Sequence, residues 1–329
     1  MNTFPAWLVT KTDDKAEVKQ TELTENDLMA GDVTIRVEYS ALNYKDGLAM
    51  TKPPLIIREF PLIPGIDLAG IVEKSESDQF KPGDRVALNG FGVGENFHGG
   101  YAGKARVNSA WLVPLPENLS TRQAMAIGTA GYTAMLCIMA LEQHGLTPDA
   151  GKILVTGAAG GVGSVALSVL NHLGYDVTAS TGRMSEADYL QQLGANDVID
   201  RKELSGKPRP LAKERWAGAI DVAGGFTLAN VLSQIKRAGA VAACGLAESM
   251  DLPTTVAPFI LRGVTLYGID SVMCPIDKRI TAWNRLASEL DLAALDLMSH
   301  EIGFDDIPDA ARAILKGEIR GRTIVKIPD

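Results

Sequence analysis

Cysteine is scarce in this chain of 329 residues: there are three, Cys137, Cys244 and Cys274, and none lies in a Cys-x-x-Cys pair. That scarcity points to a reducing compartment and argues against a structural zinc, whose ligands come closely spaced. Histidine is nearly as rare, and His98, His144, His172 and His300 form no ligand-spaced group. Positive charge is in deficit, with 32 Lys and Arg against 40 Asp and Glu, a net charge of −8. That balance argues against a nucleic-acid partner, whose affinity would need clustered cations. The opening Met1-Asn2-Thr3-Phe4-Pro5 lacks a basic region followed by an apolar one, so no secretory signal is expected. Long apolar runs are missing but for residues 123–141, which carry no charge over nearly the length of a membrane span. Gly128, Thr129, Gly131, Tyr132 and Thr133 keep that run only modestly apolar, and it reads as a helix buried in protein. With 46% apolar and 22% charged residues the chain is that of a soluble two-domain protein, expected to be a cytoplasmic enzyme with no membrane partner.

What is present centres on residues 151–163, Gly-Lys-Ile-Leu-Val-Thr-Gly-Ala-Ala-Gly-Gly-Val-Gly. Residues 153–156 are a short apolar run bounded by glycines, the pattern of a buried parallel strand. Val165, Leu167, Val169, Leu170 and Leu173 then recur at helical spacing, closed by Gly174. Strand, glycine turn and helix in this order predict a dinucleotide site. The turn carries backbone N–H groups to a pyrophosphate, and the helix N-terminus adds its partial positive charge. Gly160, Gly161, Val162 and Gly163 are its candidate contacts.

Around this motif the first 120 residues read as β-rich. Strands are expected at 33–39, 66–74 and 84–89, with Lys81-Pro82-Gly83-Asp84 as a turn and long loops through Pro53, Pro54, Pro61, Pro64 and residues 90–103. Ser120 is placed to cap a helix. From about residue 127 strands and helices alternate: strands at 176–181, 197–200, 218–223, 240–245 and 264–269, helices at 185–193 and 227–237. With 153–156 these make six parallel strands, an α/β doubly wound sheet. Helices at 279–290 and 308–315 and a strand at 323–327 form a tail too short to fold alone, which returns to the first domain. The expected domains are 1–126 with 270–329, and 127–269.

An NAD site places an acidic residue about 20 positions beyond the glycines, on the ribose diol. Here that position reads Ser180-Thr181-Gly182-Arg183, without a carboxylate before Glu186. Hydroxyls on Ser180 and Thr181 and a guanidinium on Arg183 suit a 2′-phosphate, so NADPH is the expected cofactor, with Arg201 a second cation near the adenine end. Gly245, Leu246 and Ser271 end strands at the carboxyl edge, where the nicotinamide half would lie, and Ile260 is a further candidate contact. Thr156, Gly157, Gly161 and Gly163 also satisfy a short-chain dehydrogenase glycine pattern, but the Tyr-x-x-x-Lys that such enzymes need is absent.

Five stretches together carry a family pattern: residues 41–46 (Ala-Leu-Asn-Tyr-Lys-Asp), 64–70 (Pro-Gly-Ile-Asp-Leu-Ala-Gly), 83–86 (Gly-Asp-Arg-Val), 128–134 (Gly-Thr-Ala-Gly-Tyr-Thr-Ala) and the glycine turn. The chain resembles the zinc-free quinone oxidoreductase branch of the medium-chain dehydrogenase/reductase superfamily over nearly its whole length. Residues 180–183 and 267–271 bring it nearest to the acrylyl-CoA reductase group of that branch. The resemblance implies a GroES-like catalytic domain, a Rossmann domain, a homodimer and no metal, since Asn43 and Ile66-Asp67 stand where zinc-dependent relatives carry ligands. It places Asn43 and Tyr44 in the active-site loop, Asn43 to orient substrate or cofactor and Tyr44 to reach the nicotinamide ribose or pass a proton. Asp46 and Asp67 read as structural, anchors of a loop and a strand. It implies acrylyl-CoA as substrate, with a quinone, or a non-catalytic nucleotide-binding role, as alternatives. Arg58, Arg262, Lys278, Arg279, Arg320 and Arg322 are the cations available for CoA phosphates.

Overall fold

The computed structural model describes residues 2–13 and 15–328; Met1 and Asp329, the outer bounds of the expected first domain, lie outside it. The chain divides into two units, Met1–Thr129 with Ser271–Ala287 and Met298–Asp329, and Ala130–Asp270 with Ser288–Leu297. Ser288–Leu297 thus leaves the 270–329 tail expected to belong wholly to the first unit.

The first unit begins with an antiparallel hairpin of β1 (Phe4–Thr12) and β2 (Lys15–Leu23). β3 (Val33–Leu42) alternates as its sequence predicts and then runs three residues further, because Ser40, Ala41 and Leu42 are all buried and the two-sided pattern ends there. Where the sequence suggested a loop, Asn43 caps a short helix, α1 (Tyr44–Thr51), with Asp46 reaching back to the Asn43 N–H. β4 (Asp67–Ser75), β5 (Arg85–Asn89), β6 (Lys104–Val107) and β7 (Val113–Pro114) follow. Ser120 and Gln123 cap α2 (Thr121–Gln143) reciprocally. It contains the uncharged stretch, is long and apolar enough to cross a membrane, and is mostly buried inside the protein. Gly128, at φ 49° and ψ −162°, breaks it near its start.

The second unit holds β8 (Ile153–Val155), α3 (Gly161–His172), β9 (Val177–Thr181), α4 (Ala187–Gln192), β10 (Asp197–Asp200), β11 (Trp216–Asp221), α5 (Gly225–Gln234), β12 (Ile235–Ala243), α6 (Ala257–Arg262) and β13 (Thr265–Gly268). Its sheet runs β10-β9-β8-β11-β12-β13, all pairs parallel. Strand order reverses between β8 and β11, and the glycine turn leaves β8 at that point. Two helices are shorter than their patterns suggested. α5 stops at Gln234 because Ile235 pairs with Trp216 and opens β12. A 3₁₀ turn over Met184–Glu186 precedes α4, whose cap is Glu186, so the helix starts two residues later than its pattern.

The chain closes through α7 (Ile276–Glu289), α8 (Leu292–Met298), β14 (Ser299–Ile302), α9 (Ile307–Leu315) and β15 (Arg322–Lys326). β15 pairs antiparallel with β3, completing a sheet ordered β14-β15-β3-β4-β5-β7 with β6 also on β3. Its core gathers Val33, Ile35, Leu68, Val86, Leu88, Phe304 and Val325. Gly47 lets α1 press against α9: a Cβ there would lie 2.8 Å from Ile314 Cγ2.

Candidate active site

In the second unit the glycine turn is built by close approach. Gly160 caps α3, and its N–H donates to the Gly157 carbonyl at 2.9 Å. A Cβ on Gly163 would meet the Ala158 Cα at 2.5 Å, so the first turn of α3 sits directly on the loop that feeds it. The first N–H groups of the helix have no carbonyl a turn earlier and point out of its N-terminus. Gly160, Gly161 and Val162 are half-buried, which leaves this end accessible. An anion gains there from the N–H groups and the helix dipole together.

Beside it, β9 ends at the predicted 2′-phosphate residues, and the structure separates them. Ser180 and Thr181 belong to the strand and are 1% and 3% exposed. The Ser180 hydroxyl has no hydrogen-bond partner among the described residues, and Thr181 Oγ1 accepts from the Arg183 N–H at 3.1 Å, closing the turn. These hydroxyls are withdrawn from solvent, contrary to the expectation that they face a phosphate. What reaches the surface is cationic. Gly182 and Arg201 are exposed and Arg183 half-buried. The Arg201 guanidinium lies against Gly182, where a Cβ would be 2.6 Å from its Nε. Two arginines therefore flank one bare glycine.

At the carboxyl end of β12, Gly245 crosses so near Val222 that a Cβ would be 2.4 Å from its carbonyl oxygen. Leu246 next to it is 60% exposed. Asp221, ending β11, accepts from Thr156 Oγ1 at 2.7 Å and from the Gly224 and Ala223 N–H groups. Burial raises its carboxyl to about 6 against the pull of those donors. Ile260 stands apart from this edge, on α6, in the connection that enters β13 at its amino end, with its side chain 73% exposed.

In the first unit Tyr44 opens α1 and is 55% exposed. Asn43, predicted to meet substrate or cofactor, is instead committed inward. Its Nδ2 donates to Asp67 Oδ2 at 2.8 Å and to Asp46 Oδ2 at 3.1 Å, and its Oδ1 accepts from Arg322 Nη1 at 3.0 Å. Both amide hydrogens are used, so Asn43 holds the turn before Tyr44 and does not present a donor. Asp67 also accepts from the Thr129 N–H and hydroxyl, just beyond the break in α2. Arg322 donates Nε to the Ala126 carbonyl at 2.8 Å, just before it. One buried ion pair thus caps both sides of the broken helix. Asp46 is fully buried, accepts from the Ile66 N–H at 2.9 Å, and is raised to about 7 by burial first and by the Asp67 charge second. Among the described residues no group of three His, Cys, Asp or Glu could hold a metal ion.

The cations offered to CoA phosphates divide evenly. Arg58, Lys278 and Arg320 are exposed. Arg322 serves the cluster above. Arg262 donates to the carbonyls of Ser233, Ile235 and Ala212 and pairs with Glu214. Arg279 is fully buried and donates inward, to Asn89, Ser271 and Val272. Sequence reading offered all three of these to CoA phosphates because their acceptors are mostly backbone carbonyls, which leave no local signature.

The chain matches two family models, the alcohol dehydrogenase GroES-like domain over residues 29–117 and zinc-binding dehydrogenase over residues 161–288. It is 53% identical to acrylyl-CoA reductase AcuI of Ruegeria pomeroyi over 98% of this chain and 99% of that one. It is 47% identical to putative quinone oxidoreductase YhfP of Bacillus subtilis, covering 98% and 99%. Among solved structures, the yhdH oxidoreductase of Salmonella enterica in complex with NADP superposes with a TM-score of 0.96 at 52% identity, covering 98% of this chain and all of that one.

Proposed function

We propose, from the premise that this chain belongs to the zinc-free, quinone-oxidoreductase-like branch of the medium-chain dehydrogenase/reductase superfamily, that it reduces acrylyl-CoA to propanoyl-CoA with NADPH. The observation that carries this reading is full-length identity of 53% to a protein named for that reaction. The nicotinamide of bound NADPH supplies a hydride, which the β-carbon of the conjugated thioester takes up while a proton reaches the α-carbon.

The residues of this chain divide that work. Gly160, Gly161, Val162 and Gly163 take the pyrophosphate at the start of α3, and the cradle that a Cβ on Gly163 would fill supports this assignment. Arg183 and Arg201 hold the 2′-phosphate over Gly182, with Ser180 and Thr181 as the floor beneath them. Gly245, Leu246 and Ser271 meet the nicotinamide half. Tyr44, exposed at the head of α1, hydrogen-bonds the ribose or passes the proton, and Asn43 keeps it in place. Conjugation spreads the arriving charge over the substrate's own carbonyl, so a few oriented donors suffice and no metal is needed. The donor set agrees: Asp46 and Asp67 already accept from Ile66, Asn43 and Thr129, and a cation would have to displace these. A cytoplasmic homodimer belongs to the same reading.

Comparison of kcat/KM for acrylyl-CoA, a small acrylate ester and a benzoquinone with NADPH tests it. Acrylyl-CoA is expected to lead. A CoA ester no better than the small ester removes phosphate recognition and the assignment with it. The Bacillus relative favours a quinone as second reading, and a quinone ahead by tenfold, about 1.4 kcal/mol in transition-state binding, puts that reading first.

A further inference from the structure

The guanidinium of Arg279, on α7, is 0% exposed and joins two segments that are far apart in sequence. Nη1 donates to the Asn89 carbonyl at 2.6 Å and to Asn89 Oδ1 at 2.5 Å, where β5 ends. Nη2 donates to the carbonyls of Ser271 at 3.0 Å and Val272 at 3.1 Å, where the chain has just left β13. The guanidinium carbon lies 4.5 Å from the centroid of the Phe91 ring, which stacks in turn on Trp111. Phe91 is held at φ 54°, a conformation that an aromatic residue adopts only when its surroundings impose it, and its N–H donates to the Val272 carbonyl at 3.0 Å. Gly90 precedes it at φ 85°, and a Cβ there would lie 2.5 Å from the same carbonyl. The turn after β5 and the 271–272 segment are therefore pressed together around one planar, forked cation.

Burying a full charge among backbone carbonyls is costly, and apolar packing would join two loops at less expense. What a guanidinium adds is geometry: its rigid fork fixes several acceptors in one plane. Here it fixes the carbonyl of Ser271 and, next to it, that of Val272. We propose that Arg279 is a positioning residue for the nicotinamide half of the cofactor, acting through the Ser271–Val272 segment that it clamps to Asn89 and Phe91. This rests on the assignment of Ser271 to that half.

The test separates the two halves of the cofactor by binding alone. Adenosine 2′,5′-bisphosphate carries the 2′-phosphate and adenine but no nicotinamide. In Arg279→Lys, the Kd of NADPH by fluorescence is expected to rise about tenfold, the value of one hydrogen bond lost by the displaced Ser271–Val272 segment, while the Kd of the bisphosphate stays within a factor of two. A general structural defect moves both ligands together, and that result overturns the proposal, as does a variant that binds NADPH as the parent does. Should Arg279→Lys fail to fold, Asn89→Ala removes one acceptor and spares the cation; about a threefold loss for NADPH alone is then expected, and no selective loss overturns the proposal. A parent protein that binds neither ligand sinks the cofactor reading itself, which is a different failure.

Discussion

At the scale of single residues, charge and burial make two predictions. Arg183 is half-buried beside a bare glycine, so Arg183→Ala should weaken NADPH by about 10- to 100-fold, the value of a charge-assisted contact, and leave NADH nearly unchanged. Titrating both cofactors by fluorescence checks this; equal losses would mean that Arg183 serves another purpose. Asp46 gives a pH signature. Its carboxyl is raised to about 7 in the fold and is ordinary when unfolded, so the folded state binds the extra proton between those values. The stability tied to that proton is complete below the unfolded pKa and is lost as pH rises through the folded one. Asp46→Asn removes the titration, so variant stability relative to the parent should improve from pH 5 to pH 8 by about 1.4 kcal/mol or more, one pKa unit's worth. Urea melts at the two pH values read it; a difference that does not change with pH refutes it. Asp46 and Asp67 were readable as anchors, but their arginine was not, because Arg322 stands 279 residues from Asn43 and looks like any strand-edge cation.

At the scale of elements, the break in α2 is a place where backbone and cluster depend on each other. Gly128→Ala adds a Cβ at φ 49° that would lie 2.5 Å from Arg322 Nη2 and 2.8 Å from Asp67 Oδ2. Gly174 has a comparable φ of 83° with nothing within 4 Å of its Cβ. Gly174→Ala should therefore cost about 1 kcal/mol, for backbone strain alone, and Gly128→Ala several kcal/mol for strain plus displacement of the ion pair. Chemical denaturation of both variants measures the gap, and equal costs would show that the cluster yields freely. The same region shows how far pattern reading reaches. Strands such as β8 and β11 were legible because each carries a short, fully buried apolar run. The end of α5 was not: Ile235 fits a helical stripe equally well, and only its pairing with Trp216 draws it into β12. α1 was hidden by Gly47, which weakens a helix locally and is there for the approach of α9.

At the scale of the whole molecule, the reading of a metal-free homodimer is checked by elemental analysis with a chelator and by light scattering. One zinc per chain with activity lost on chelation, or a monomer mass, would each correct it. The order in which the chain is synthesised carries a further consequence. The second unit is made almost entirely from one continuous stretch, Ala130–Asp270, whereas the first waits for β15 to pair with β3. A nascent chain therefore carries Asp46 and Asp67 through most of translation before their counter-ion is made. The second unit has every strand of its sheet once Gly268 is made, while the other sheet still lacks β14 and β15. A chain cut short before Arg322 therefore lacks the cation against which that acidic pair is buried.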